Sequence, residues 1–116
     1  MLCTVQESLI PIGYERDSSV LGAPYDFRKA PNELQDWMGD FQKLIETTHD
    51  SNNNTPVVLL CHSMGAPMSL YLLQRMTQSW KDKYVKVCTI TLERSSNVAL
   101  SRVTYLKFPY FCEYRL

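Results

Sequence analysis

The chain has 116 residues, 45% apolar and 21% charged, which is the composition of a folded protein and too apolar for a disordered one. That length holds one small domain or a piece of a larger one, and excludes two domains with separate cores. Twelve basic and twelve acidic residues cancel, so no net charge steers the chain toward nucleic acid.

Charge is nevertheless unevenly spread. Residues 1–84 hold seven Lys/Arg against ten Asp/Glu, and residues 85–116 hold five against two. The longest wholly apolar run, Val57 to Cys61, is far shorter than the ~20 residues a bilayer-crossing helix needs. Met1 to Glu7 has neither the basic start nor the apolar stretch of a secretory signal. Cys3, Cys61, Cys88 and Cys112 form no C-x-x-C pair, so a cysteine-held metal is not expected. Cys61 and Cys88 lie in apolar strand-like runs and read as small buried hydrophobes. The disulfide state stays open.

In chain order, residues 4–14 read as the end of a helix stopped by Gly13. Gly22 to Asp26 reads as the exit of a strand, and Pro24 and Pro31 bracket a stretch that cannot be helical throughout. Asn32 stands as an N-cap, with Gln35 in the capping-box position. Leu34, Trp37, Met38, Phe41, Leu44 and Ile45 then repeat at helical spacing. This helix is expected to fade near His49.

Val57 to Cys61 predicts a strand buried on both faces, as in a parallel sheet covered by helices. A single helix is expected from about Met64 to Trp80, with Pro67 tolerated in its first turn. Tyr84 to Leu92 alternates as a further strand. The tail from Val103 to Phe108 can add another, which Pro109 would confine to an edge. The order predicts an α/β protein, with a mostly parallel sheet of about three strands and flanking helices.

Cys61-His62-Ser63-Met64-Gly65 sits between the apolar strand and the helix that follows. A serine there stands on a sharp turn with its hydroxyl lifted above the carboxyl edge of the sheet. Such a Ser63 is a candidate nucleophile, and the backbone N–H of Met64 a candidate oxyanion donor at a helix start. Cys61, His62 and Gly65 take the elbow positions. Gly65 is expected where the helix start passes close to the strand end. Cys61 departs from the G-x-S-x-G pattern, whose first position is glycine. The bland alternative is a serine capping an ordinary strand-to-helix turn.

Three blocks in this order resemble one family. They are Gly22 to Glu33 (GAPYDFRKAPNE), Val57 to Gly65 (VVLLCHSMG), and Leu70 to Arg75 followed by Trp80 to Tyr84. Together they resemble the family of lecithin:cholesterol acyltransferase and lysosomal phospholipase A2, and look most like the lysosomal phospholipase A2 branch. The resemblance runs over roughly residues 5 to 90. It implies a partial α/β-hydrolase fold over residues 1–92, and a serine enzyme moving an acyl group from a phospholipid ester to water or a lipid alcohol. Ser63 matches the nucleophile and Met64 the downstream oxyanion N–H. Asp26 and Arg28 match a segment read as structural, its charges paired near the sheet edge. The implied partners are a phospholipid or lipid ester and a membrane or lipoprotein surface. No cofactor, metal or nucleic acid is implied, and the family's settings are lysosomal or secreted.

The chain also departs from that family. Serine needs a histidine to take its proton and an acid to orient the histidine, in the order Ser, Asp, His in this fold. No histidine follows Ser63, and the acids after it are Asp82, Glu93 and Glu113. His62 reads as a packed or hydrogen-bonded position, and His49 as a solvated residue near a helix end. After about Ile90 the sequence leaves the family pattern, where the charge also reverses. Residues 93–116 are therefore expected to be a divergent tail, and the chain an incomplete version through splicing, a shifted frame or a partial gene. Two readings stand beside serine acyl transfer: a non-catalytic or partner-binding remnant, and an unrelated small serine esterase.

Overall fold

A computed structural model describes residues 7–92 and 102–106. These fall into two compact units, one up to Thr55 and one from Pro56 onward.

In the first unit, a helical turn at residues 7–9 tightens into a 3₁₀ turn at Ile10–Ile12. It ends at Gly13, whose φ of 102° puts it in the left-handed region glycine enters without steric cost. Among the described residues no strand precedes Gly22, contrary to expectation. Residues 15–20 curl on themselves instead: Ser19 and Val20 both donate backbone N–H bonds of 3.0 Å to the Glu15 carbonyl. The Ser19 hydroxyl accepts from the Glu15 N–H at 2.8 Å. With these groups satisfied locally, little is left to recruit the segment into a sheet.

The helix start also differs from the sequence reading. Pro31–Glu33 forms a separate 3₁₀ turn, held by the Glu33 carboxylate accepting the Ala30 N–H at 2.8 Å. Asn32 is inside that turn, so it does not cap helix α1, Gln35–Ser51. Gln35 still reaches back, donating to the Asn32 carbonyl at 3.1 Å. Helix α1 buries Met38, Phe41, Ile45 and His49, a stripe of steps three and four along one face. Trp37 is half-buried and donates its indole N–H to the Pro24 carbonyl at 2.7 Å. That bond ties the Gly22–Glu33 block to α1.

The second unit begins with strand β1, Val57–His62. Helix α2 follows at Gly65–Arg75, then helix α3 at Gln78–Tyr84, strand β2 at Val85–Leu92 and strand β3 at Arg102–Leu106. The expected single helix to Trp80 is thus two. Met76 is extended (φ −85°, ψ 146°), which breaks the ladder. Thr77 restarts it, its hydroxyl accepting from the Trp80 N–H at 3.3 Å.

The sheet order is β1-β2-β3. β1 and β2 are parallel, the strand–helix–strand crossover that parallel pairing requires. β2 and β3 are antiparallel, so the sheet is mixed, where a mostly parallel one was expected. β3 lies at an edge in this order, while residues 107 and 108 of the expected Val103–Phe108 strand lie outside the described residues. β1 does not have two buried faces either. Leu59 and Cys61 are buried, whereas Val58 and Leu60 remain 54% and 41% exposed. The period of two sends alternate side chains to opposite faces, and helix α2 packs on β1 while Val58 and Leu60 stay open to solvent. Met68, Leu72, Leu73, Val85 and Cys88 complete the core of this unit.

Candidate functional site

Ser63 follows the carboxyl end of β1 and precedes the first turn of α2. Its φ is +50°, the left-handed region that costs an L-residue ~1–2 kcal/mol. The reversal is forced by connectivity: the chain must leave an extended strand and enter a helix within two residues, Ser63 and Met64. Met64 already has helical angles (φ −61°, ψ −18°), so the turn falls on Ser63. The Ser63 carbonyl accepts the Ala66 N–H at 3.1 Å and opens the helix. Ser63 is exposed, and no hydrogen bond among the described residues engages its hydroxyl. It is therefore not a side-chain cap of α2.

The residues flanking Ser63 occupy distinct environments. Met64 is 47% exposed at the start of α2. His62 ends β1 half-buried, in register with Thr91 of β2. Gly65 does not fill the expected role. A Cβ built there would meet nothing within 4 Å, and its φ is not left-handed. A close approach to the strand end is thus not what this glycine serves in the described structure.

Cys61 lies beneath the turn and carries a feature that the sequence reading missed. Its Sγ is 3.1 Å from the Ser69 Oγ of α2 and 3.5 Å from the Cys88 Sγ of β2, with both cysteines free and buried. The signal lay in the register: Cys88 pairs with Leu59, and Leu59 shares a face with Cys61. The Cys88 thiol bond holds Cys61 down to about 7 despite burial, with Ser69 assisting. The same bond and burial push Cys88 upward.

Asp26 and Arg28 do pair, Nε to Oδ1 at 2.8 Å and the second guanidinium nitrogen to Oδ2 at 2.9 Å. The Arg28 guanidinium, aided by its backbone N–H, holds the Asp26 carboxyl below the usual range. His49 is not solvated as expected. Its side chain is 4% exposed, with Nδ1 2.9 Å from the Asp50 carboxylate. The apolar stripe of α1, continued by four residues from Ile45, predicts that burial.

A mixed α/β protein with an exposed serine at positive φ between a parallel strand and a helix is the class these observations define. The family model of lecithin:cholesterol acyltransferase matches residues 1–92, and the chain belongs to that family. It is 48% identical over 85 residues to the bovine (Bos taurus) lysosomal phospholipase A and acyltransferase, covering 73% of this chain and 21% of the relative. The human (Homo sapiens) protein of the same name is 47% identical over 83 residues, covering 72% and 20%. Phosphatidylcholine-sterol acyltransferase of Oryctolagus cuniculus is 39% identical over 82 residues, covering 71% and 18%. The chain thus spans about a fifth of the length of the relatives it matches. Among the described residues, no helix is long and apolar enough to cross a membrane.

Proposed function

We propose that these residues form the nucleophile segment of a serine-dependent acyltransferase and phospholipase A acting on phospholipid esters, built on part of an α/β-hydrolase fold. The observation that carries the reading is Ser63, exposed and unengaged at φ +50° at the carboxyl end of β1. Carboxyl strand ends are where open α/β sheets place their ligands.

Ser63 Oγ attacks the ester carbonyl carbon, its proton passes to a base, and the carbonyl oxygen becomes an oxyanion facing the Met64 N–H. Collapse expels the lysophospholipid alkoxide, which takes up the proton, and leaves an acyl-serine. Water or a lipid alcohol then accepts the acyl group and regenerates Ser63. Residues 1–92 are the hydrolase portion in this reading, and residues 93–116 the divergent tail. The substrate is a lipid ester at a membrane or lipoprotein surface, in a lysosomal or secreted setting.

A second reading has its own support. No histidine follows Ser63 in the 116 residues, and no hydrogen bond among the described residues links the Ser63 hydroxyl to a base. By themselves, then, these residues hold a shaped but unactivated serine and act as a non-catalytic segment. Labelling of the folded chain with a fluorophosphonate, beside Ser63→Ala, separates the two. Labelling lost in Ser63→Ala means that Ser63 is activated in this chain. A folded chain that takes no label carries the elbow without its triad, and the acyl-transfer activity then belongs to the longer relatives.

A further inference from the structure

Asn53-Asn54-Thr55 is the sole Asn-x-Ser/Thr sequence in the 116 residues with a residue other than proline in the middle, and it falls in the turn between α1 and β1. We infer that Asn53 is an N-glycosylation site, occupied when the chain passes through an oxidising, glycosylating lumen. The structure supports the motif at each position it needs. Asn53 and Thr55 are exposed, and no hydrogen bond among the described residues engages the Asn53 side-chain amide. The neighbouring Asn52 contrasts with it: its amide is committed to the Ser18 and Thr48 carbonyls at 3.1 and 2.9 Å. The turn therefore keeps one asparagine for the fold and presents the next to solvent.

The backbone is suited to the reaction as well. Asn53 and Asn54 both have φ of 56°, left-handed values that asparagine tolerates better than most residues but at some cost. The turn is held by the Thr55 N–H donating to the Asn52 carbonyl at 3.1 Å, and the left-handed strain lowers the cost of opening it into the extended form a transferase grips.

In the transfer, the Asn53 Nδ2 forms a bond to the anomeric carbon of a lipid-pyrophosphate-linked oligosaccharide. The carbon–oxygen bond to the pyrophosphate breaks, and the lipid pyrophosphate leaves with the electron pair. One amide proton passes to a base of the transferase. The modification adds a bulky, solubilising group to a surface loop. Only the compartment rests on the family reading, through relatives whose printed name is lysosomal. The modification itself does not involve Ser63.

The test translates the full chain behind a cleavable secretory leader in the presence of microsomes, scoring protease-protected product. Wild type should carry a single glycan that peptide-N-glycosidase removes, converting Asn53 to aspartate in the peptide mass. Thr55→Ser should retain it, and Asn53→Gln and Thr55→Ala should lose it. Protease-protected wild type without a glycan overturns the assignment, as does a glycan that survives Asn53→Gln. Fluorophosphonate labelling of the same products reports separately on Ser63, so failure of either idea leaves the other standing.

Discussion

Replacing Ser63 with glycine should make the protein more stable, although it removes the candidate nucleophile. At φ +50° the serine sits where its Cβ crowds the backbone, at ~1–2 kcal/mol. Glycine relieves that crowding, and its extra freedom in the unfolded chain takes back ~0.5–1 kcal/mol. The expected net gain is therefore ~0.5–1 kcal/mol. Alanine keeps the Cβ and so keeps the strain. Because the hydroxyl has no hydrogen-bond partner among the described residues, Ser63→Ala should fall within ~0.5 kcal/mol of wild type. Urea unfolding followed by circular dichroism gives the comparison. With a slope of ~1–3 kcal/mol per molar urea, Ser63→Gly should unfold a few tenths of a molar later than Ser63→Ala. A glycine variant less stable than the alanine one would refute the argument. A large loss in Ser63→Ala would show that the hydroxyl is engaged after all.

Gly65→Ala should leave stability unchanged or raise it by a few tenths of a kcal/mol, because the added methyl meets open space and alanine favours helix; a loss above ~1 kcal/mol in the same assay would mean a hidden contact. Leu59→Ala should cost ~2–5 kcal/mol, as Leu59 is 7% exposed. Leu60→Ala, at 41% exposure, should cost well under half of that, and equal losses would contradict the one-sided burial of β1. Ultraviolet thiolate absorbance should show one thiol titrating near the value of about 7 to which Cys61 is lowered, and Cys88→Ala should move that titration up. The sign of the stability change follows from linkage. A Cys61 value below the unfolded thiol's ~8.5 means that the unfolded state binds more protons between the two, so stability rises with pH there and is lost as pH falls through 7. Cys88 is raised, so it acts oppositely, and stability should decline again above ~8.5. A flat pH profile in the wild type would show that the two thiols do not share a proton.

What could be read from residues alone was whatever depends on period and punctuation. The α1 stripe, the Gly13 stop, β1 and the place of Ser63 are local patterns, and each has its counterpart in the structure. Features set by competition between neighbours were not legible. Val57 to Cys61 is apolar at every position, so no pattern within it says that Val58 and Leu60 stay exposed. The break at Met76 arises because Thr77 can cap a new helix, which the apolar spacing from Met68 to Trp80 hides. The Cys61–Cys88 contact depends on the pairing of β1 with β2, which no single segment encodes.

The strand itself explains why the serine is presented as it is. Leu59 and Cys61 point into the core of their unit, so continued alternation would carry residue 63 to that same buried face. The positive φ at Ser63 ends the alternation at that residue and leaves the serine exposed. Everything this needs lies within the unit from Pro56 onward: β1 in register with β2, α2 packed on β1, and Cys61 anchored to Ser69 and Cys88. A base and its orienting acid are not among these requirements. The shape of such a turn and the activation of its serine are therefore separable properties. The strain at Ser63, which glycine would relieve, is one that folding alone gives no reason to keep.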